Sequence, residues 1–193
     1  TKNGRRRLKY DTGKVRFGGA PIIQDDQVYF SSDGGRVWGV ERYAQTYPLE
    51  RFIFHVKINL YVWKLIPGRP VQRGSIWSKR VGGHINLPLA VTDDAVFGAT
   101  ENGVVFSSSS RTGQEIWSTD VQSVVGVAPS IAANTVLIGT KDGNILGIDS
   151  KTGEILWRFH VGSAITTSPI TAGDTIYVGT EDGSLHAIIG SRR

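Results

Sequence analysis

A unit of sequence recurs at a constant interval in the second half of this chain. Thr100, Thr140 and Thr180 stand 40 residues apart, and a glycine follows each of them three residues later. A second marker keeps the same interval, because the segment Thr112–Trp117 returns as Thr152–Trp157. A fixed period of this length indicates an array of equal supersecondary units, none of which can bury its apolar face alone.

The unit at residues 130–170 shows what each repeat predicts. Apolar β-branched runs at 135–140, 144–149 and 154–159 are separated by the turns 141–143 and 150–153, and a short strand at 164–170 opens the next unit. Four short strands per 40 residues are typical of a β-propeller blade. A β-sandwich also has short strands, but it has no reason to repeat its turns at a constant interval. The predicted fold class is therefore all-β, a propeller of four-stranded antiparallel blades with four blades in this chain.

The whole chain, 1–193, is predicted to form one propeller domain or half of a propeller. The expected segments are an outer strand at 11–17, blade one at 19–80 with an insertion at 44–72, blade two at 83–119, blade three at 124–159 and blade four at 163–190. The strand at 11–17 is expected to complete blade four, within the same chain or in another copy, because closing the ring removes exposed sheet edges. A homodimer that completes an eight-bladed ring, a closed four-bladed monomer and a fragment of a longer protein all remain open.

One turn and strand of each unit follows the pattern Ala-x-Asp-x-x-Thr-Gly-x-x-x-Trp. Gly147, Asp149, Thr152, Gly153 and Trp157 fit it with glycine in the alanine position. In the preceding unit Ser107 and Ser109 replace the alanine and the aspartate, and earlier matches end at Trp77 and at Thr12, Gly13 and Phe17.

This pattern resembles the tryptophan-docking motif of the pyrroloquinoline-quinone-type, or quinoprotein-like, propeller family. The resemblance implies that each tryptophan packs on the neighbouring blade. The residues expected in this structural docking role are Trp77, Trp117, Trp157 and Phe17, where phenylalanine stands in for tryptophan. The family usually builds seven or eight blades.

The insertion differs in composition from the rest of the chain. Apolar and polar residues alternate over 51–62, which is typical of a strand. The run is long and has no internal turn, and Pro48-Leu49-Glu50 is a suitable helix start, so a helix is favoured over the strand. Its apolar and basic residues predict docking to a protein partner, a second copy or a membrane surface through 47–66. The candidate docking residues are Tyr47, Phe52, Phe54, Val56, Ile58, Leu60, Tyr61, Trp63 and Lys64.

The chemistry of the remaining residues argues against several classes of function. The net charge of +5 comes largely from Arg5, Arg6, Arg7, Lys9, Arg192 and Arg193, which we interpret as solvated tails, so nucleic acid is not an expected partner. The chain contains no cysteine, and its four histidines, His55, His84, His160 and His186, lack metal-ligand spacing. His160 and His186 are expected to make ordinary hydrogen bonds. No catalytic residue, cofactor or metal site is predicted, and neither a signal peptide nor a membrane-spanning helix is expected.

The resemblance extends to propeller lipoproteins that assist envelope assembly, which implies a non-catalytic scaffold for protein–protein interaction in an envelope or membrane-associated complex. An extracytoplasmic or membrane-associated location is expected on the same basis. The alternatives are a ligand-sensing propeller domain of a larger receptor or kinase and, third, a degenerate quinone-dependent oxidoreductase.

Overall fold

The strands of this protein form four separate antiparallel sheets. The structure, a computed structural model, describes residues 8–13 and 15–189. Its elements are β1 (Ile22–Gln24), β2 (Gln27–Ser31), β3 (Arg36–Glu41), α1 (Glu50–Val62), β4 (Ser75–Arg80), β5 (Ala90–Val91), β6 (Ala95–Ala99), β7 (Val104–Ser109), β8 (Glu115–Asp120), β9 (Ser130–Ala132), β10 (Thr135–Gly139), β11 (Asn144–Asp149), β12 (Ile155–His160), β13 (Ile170–Ala172), β14 (Thr175–Gly179) and β15 (Leu185–Ile189). The cationic tails Arg5–Arg7 and Arg192–Arg193 lie outside the described residues.

Consecutive strands pair within each sheet, so every sheet is a simple meander. Blade one is β1–β4, blade two β5–β8, blade three β9–β12 and blade four β13–β15. The all-β propeller that the repeats predict is therefore confirmed. Blade four has three strands in the described part of the chain, and the segment 11–17 that the sequence predicts as its fourth strand does not pair with it there.

The second and third strands of each blade are joined by the same hairpin. Its first residue is buried, and its hydroxyl lies within hydrogen-bonding distance of a backbone group four residues later, as in Thr100 with the Val104 N–H at 3.1 Å. The residues in this position are Ser32, Thr100, Thr140 and Thr180. The glycine three residues later has positive φ, which a glycine adopts without steric cost. The repeated threonine and glycine therefore close the hairpins.

A tryptophan of each outer strand joins its blade to the next. The indole N–H of Trp77 donates to the backbone carbonyl of Ser110 at 2.6 Å, and that of Trp117 donates to the carbonyl of Ser150 at 2.9 Å. Each ring lies on the glycine of the receiving Thr-Gly turn, Gly113 or Gly153, where an added Cβ would overlap the ring. Trp157 holds the equivalent place in blade three, and the turn that would receive it corresponds to positions 190–193, outside the described residues.

The register also explains the small residue at the start of the motif. Gly39, Ser107 and Gly147 lie directly opposite Trp77, Trp117 and Trp157 in the neighbouring strand. An added Cβ at Gly147 would overlap the Trp157 ring. Side chains opposite one another in a sheet lie on the same face. A small residue is therefore required there so that the indole can lie flat over its own blade.

The segment before β1 is not the outer strand that its Thr-Gly spacing predicts. Phe17 forms a single antiparallel bridge with Ser32 of blade one, in the same way that Val125 bridges Thr140 and Ile165 bridges Thr180. The expectation of an outer strand at 11–17, with Phe17 in a tryptophan position, is therefore wrong. Phe17 lies too close to β1, because the docking tryptophans precede the first strand of the next blade by 13 residues. Residues 16–18 form instead the innermost segment of blade one.

The hydrophobic core consists of layers between neighbouring blades. One buried cluster joins blades one and two through Trp77 and Phe106, another joins blades two and three, and a third joins blades three and four through Ile145 and Val178. A fourth cluster, around Phe30 and Trp38 of blade one, packs against Leu8 and Tyr10. The fold is thus stabilised by nearest-neighbour contacts, as in other repeat proteins.

The receiving glycine gives a direct test of the tryptophan contact. Gly153→Ala adds a Cβ about 2.6 Å from the Trp117 ring at a residue with φ +77°. We expect the free energy of unfolding to fall by about 2–4 kcal/mol, measured by urea denaturation. Gly183→Ala is the matched control, because Gly183 has φ +81° and nothing within 4 Å of an added Cβ. Its expected loss is about 1 kcal/mol, and equal losses in the two variants would contradict the contact.

Candidate docking surface

The connection between β3 and β4 contains the helix α1, so the strand interpretation of this segment is wrong. A strand would need a partner edge, whereas a helix satisfies its own backbone hydrogen bonds. Before the helix, the Glu50 carboxylate accepts a hydrogen bond from the Tyr47 N–H at 3.0 Å. At its end Lys64 has φ +57°, and the N–H groups of Lys64 and Leu65 donate to the carbonyls of Tyr61 and Leu60 at 2.9 and 2.8 Å. This closes the last turn in the manner of a left-handed C-terminal cap.

No side chain of α1 is buried, although the helix is rich in apolar residues. At about 100° per residue, Phe52, Val56, Leu60 and Trp63 lie along one side. We call these four residues the outer stripe. Phe52 and Trp63 are 67% and 76% exposed. The outer stripe therefore presents two large apolar side chains to solvent.

Three further apolar residues of α1 form a second stripe on the opposite side, and Ile53 and Val62 lie on the flanks between the two stripes. Phe54, Ile58 and Tyr61 form the second stripe, and Phe54 is half-buried. Lys57 lies with Ile53 on one flank, and His55 and Asn59 lie with Val62 on the other. The helix therefore has apolar side chains on every side, with polar residues among them.

A cleft of about 670 Å³ separates α1 from residues 8–13. Leu8, Ile53 and Phe54 contribute apolar walls, and Lys9, Asp11 and Lys57 contribute charges. Arg51 and Asp11 form an ion pair across it at 3.7 Å, with both side chains well exposed. Exposed ion pairs contribute little to stability. This pair therefore orients the helix only weakly.

The two ends of the segment contact each other and the N-terminal residues 9–11. The Arg73 guanidinium lies 4.2 Å from the centre of the Tyr47 ring. The N–H of Lys9 donates to the Thr46 hydroxyl at 2.9 Å, and the N–H of Asp11 donates to the Gln72 side-chain carbonyl at 2.9 Å. Tyr47 thus anchors the base of the segment and is not part of the outer stripe.

The charge of the segment is one-sided. Five basic residues and a single acidic residue, Glu50, lie between positions 47 and 74. The basic residues are Arg51, Lys57, Lys64, Arg69 and Arg73. A surface that meets this segment is therefore expected to carry acidic groups.

The carboxylates with perturbed pKa values lie in turns or directly before one, whereas burial raises the pKa of Tyr29 in β2. Hydrogen bonds from the backbone N–H groups of Thr152 and Lys151 hold the pKa of Asp149 below its usual value. The Thr180 hydroxyl and the Ser184 N–H lower the pKa of Asp182 in the same way. Each of these carboxylates orders its own turn, which is the usual role of aspartate there.

Metal ligands are not assembled in the described residues. Within 8–13 and 15–189 no three His, Asp or Glu side chains are placed to share a metal ion. His160 Nδ1 lies 3.3 Å from the Asn144 side-chain oxygen, whereas His186 Nε2 is buried without a hydrogen-bond partner, unlike the expectation for that residue. The described residues do not fit a quinone site that is held by a metal ion.

Comparison with known proteins identifies the repeat. Residues 63–191 match the model of a PQQ-type family described as outer membrane protein assembly factor BamB. BamB from Moraxella catarrhalis superposes with a TM-score of 0.69 at 18% identity, over 93% of this chain and 48% of that one. The computationally designed protein Ika4 superposes with a TM-score of 0.74 at 16% identity, over 97% and 99% of the two chains. No curated protein matches the chain by sequence.

An enzyme shares the fold as well. Quinohemoprotein alcohol dehydrogenase from Comamonas testosteroni superposes with a TM-score of 0.61 at 17% identity, over 86% of this chain and 29% of that one. The chain thus spans about half the length of BamB and less than a third of the dehydrogenase. Within the described residues, no helix combines the length and the apolar character needed to cross a membrane.

Proposed function

This chain belongs to the PQQ-type propeller family described as outer membrane protein assembly factor BamB, and on that premise we propose that it is a non-catalytic scaffold that binds a protein partner through α1. The observation that carries the proposal is the outer stripe, Phe52, Val56, Leu60 and Trp63. Exposed apolar surface of this kind marks interaction sites in soluble proteins. The family description further supports an extracytoplasmic place in an envelope assembly complex.

The connection that holds α1 is, in this proposal, an insertion into a 40-residue blade repeat. Blades two and three join their third and fourth strands through residues 110–114 and 150–154, whereas blade one uses residues 42–74. The β3–β4 pairing keeps the same register shift, after Gly39, that β7–β8 and β11–β12 show after Ser107 and Gly147. The blade does not need the extra segment for its own pairing, which supports a role outside the fold.

The arrangement of side chains favours a protein groove over a flat lipid surface. A helix that lies on a membrane has one apolar half and one polar half. Here Ile53 and Val62 lie beside Lys57 and His55 on the flanks between the two apolar stripes, so no half of the helix is polar. A helix of this kind fits a groove, with anchors at 52, 56, 60 and 63 on one side. The partner surface we propose is an apolar groove with an acidic rim that complements Arg51, Lys57 and Lys64.

A pull-down from an envelope extract of the source organism tests the outer stripe. We expect the double variant F52A/W63A to retain at least tenfold less of the specific partner than the unaltered chain, by quantitative mass spectrometry. The matched control is I116A/L156A, which removes two apolar side chains that are 49% and 50% exposed on β8 and β12. Circular dichroism should be unchanged in both variants because all four side chains are exposed.

Two results would contradict the protein-partner proposal. One is equal recovery of the same proteins with the stripe variant and with the control. The other is sedimentation of the unaltered chain with anionic phosphatidylglycerol vesicles that the stripe variant loses, without any change in protein partners. That second outcome would assign the stripe to a lipid surface.

The non-catalytic part of the proposal has its own test. Titration calorimetry with pyrroloquinoline quinone and Ca²⁺ should detect no binding, because the described residues provide no ligand cluster for the metal. Stoichiometric binding at micromolar quinone would contradict the proposal and would favour a quinone-dependent oxidoreductase.

A further inference from the structure

Each blade of this protein has two faces that differ in what they contact. The forward face bears the docking tryptophan and packs on the following blade, and the rear face packs on the preceding one. In blade three the forward-face residues Leu137 and Ile145 are 1% and 0% exposed beneath blade four. Both faces of blades two and three are covered in this way.

The forward face of blade four is also apolar, but no other described residue covers it. Ile170 pairs with Tyr177, Leu185 with Gly179 and Ile189 with Thr175, so all these residues lie on one face of the sheet. We call Ile170, Tyr177, Leu185, Ala187 and Ile189 the open face. Ile170, Leu185 and Ile189 are 65%, 74% and 70% exposed. The alternate residues Ile176, Val178 and Ile188 pack on blade three.

At the other end of the array, no blade lies behind the rear face of blade one within residues 8–13 and 15–189. Phe30, Trp38 and Val40 are buried there, with Leu8 and Tyr10 packed against them. Phe17 is 58% exposed. At the equivalent positions Ile85, Val125 and Ile165 are at most 3% exposed, because a preceding blade covers them.

We propose that the open face of blade four binds the rear face of blade one in a second copy of this chain, and that two identical contacts close a ring. Three contacts of this kind already exist within the chain, between blades one and two, two and three, and three and four. A head-to-tail contact that closes after two copies leaves no free surface of this type. The described blades also superpose on about half of a longer propeller chain, which supports the curvature of a wider ring.

The contact has a specific steric feature. Within the chain, Ile165 of blade four lies against Gly139 of blade three, where an added Cβ would meet it at 2.6 Å. Gly179 is the residue of blade four that corresponds to Gly139, and Phe17 corresponds to Ile165. In the ring, Phe17 of one copy therefore lies over Gly179 of the other.

Residues 8–12 have a second place in such a ring. Each outer strand ends four residues before the innermost segment of the next blade, as Arg80 does before His84 and Asp120 before Val124. Arg16 is the equivalent of His84, because its carbonyl accepts a hydrogen bond from the Asp33 N–H and the His84 carbonyl accepts one from the Glu101 N–H. Thr12 stands four residues before Arg16. Residues 8–12 therefore have the register of an outer strand beside β15 of the second copy. They leave the Phe30 surface when the ring forms.

The mass of the purified chain in solution, by light scattering after size-exclusion chromatography at about 50 µM, tests the proposal. We expect twice the mass of one chain. L185D and I189D should shift the species to a single chain, because each places a carboxylate in an apolar contact. Leu156→Asp is the matched control, since Leu156 is 50% exposed on β12 outside the open face, and it should keep the doubled mass.

A single chain for the unaltered protein, a polymer, or a doubled mass that survives L185D and I189D would each overturn the proposal. Circular dichroism identifies a variant that has unfolded. F17A removes the contact residue on the blade-one side and gives a second test of the same contact. These variants do not touch the outer stripe of α1, so this result is independent of the proposed function.

Discussion

The fold depends on one repeated contact, an indole N–H that donates to a backbone carbonyl of the next blade. A sheet alone does not fix the angle to its neighbour, because apolar packing is not directional. The bonds from Trp77 to Ser110 and from Trp117 to Ser150 supply that direction. Each of these two indoles also lies on a glycine of the receiving turn and opposite a small residue of its own blade, so one contact accounts for three recurring positions.

Because the contacts join nearest neighbours, the two ends of the array differ from its middle. The rear of blade one is covered by Leu8 and Tyr10, whereas the forward face of blade four leaves Leu185 and Ile189 exposed. The helix α1 is a second exposed feature, but it arises differently. It leaves blade one between two strands that pair with the same register shift as those of the other blades. The blades and α1 can therefore serve different roles without interfering with each other.

Most of the fold could be predicted because its signals are local and repeated. The Thr-to-Gly hairpins and the Thr-Gly turns each report a backbone conformation that recurs every 40 residues. Phe17 shows where that reasoning fails. Thr12, Gly13 and Phe17 reproduce the spacing of a docking strand, but only the distance to β1 shows that this segment is needed as an innermost strand.

The docking segment could be predicted only in part. Its apolar and basic composition predicts an exposed docking segment at 47–66, but the alternation over 51–62 is typical of a strand. Only the length of the run and the start at Pro48-Leu49-Glu50 favour the helix that the structure shows. Phe52 and Phe54 would lie on the same face of a strand but lie on opposite sides of a helix. The division into an outer stripe and a cleft side therefore follows only once the segment is known to be a helix. His186 shows the same limit, because the hydrogen-bond partners of its ring depend on tertiary structure.

Hydrogen exchange at the five tryptophan indoles, followed by ¹⁵N NMR of the full chain, tests the central contact most directly. The Nε1–H groups of Trp77 and Trp117 should exchange as slowly as the amides of β7 and β11. The Nε1–H of Trp63, on an indole side chain that is 76% exposed, should exchange as an unprotected group does. If Trp77 and Trp117 exchange as fast as Trp63, the indole bonds do not hold the blades together.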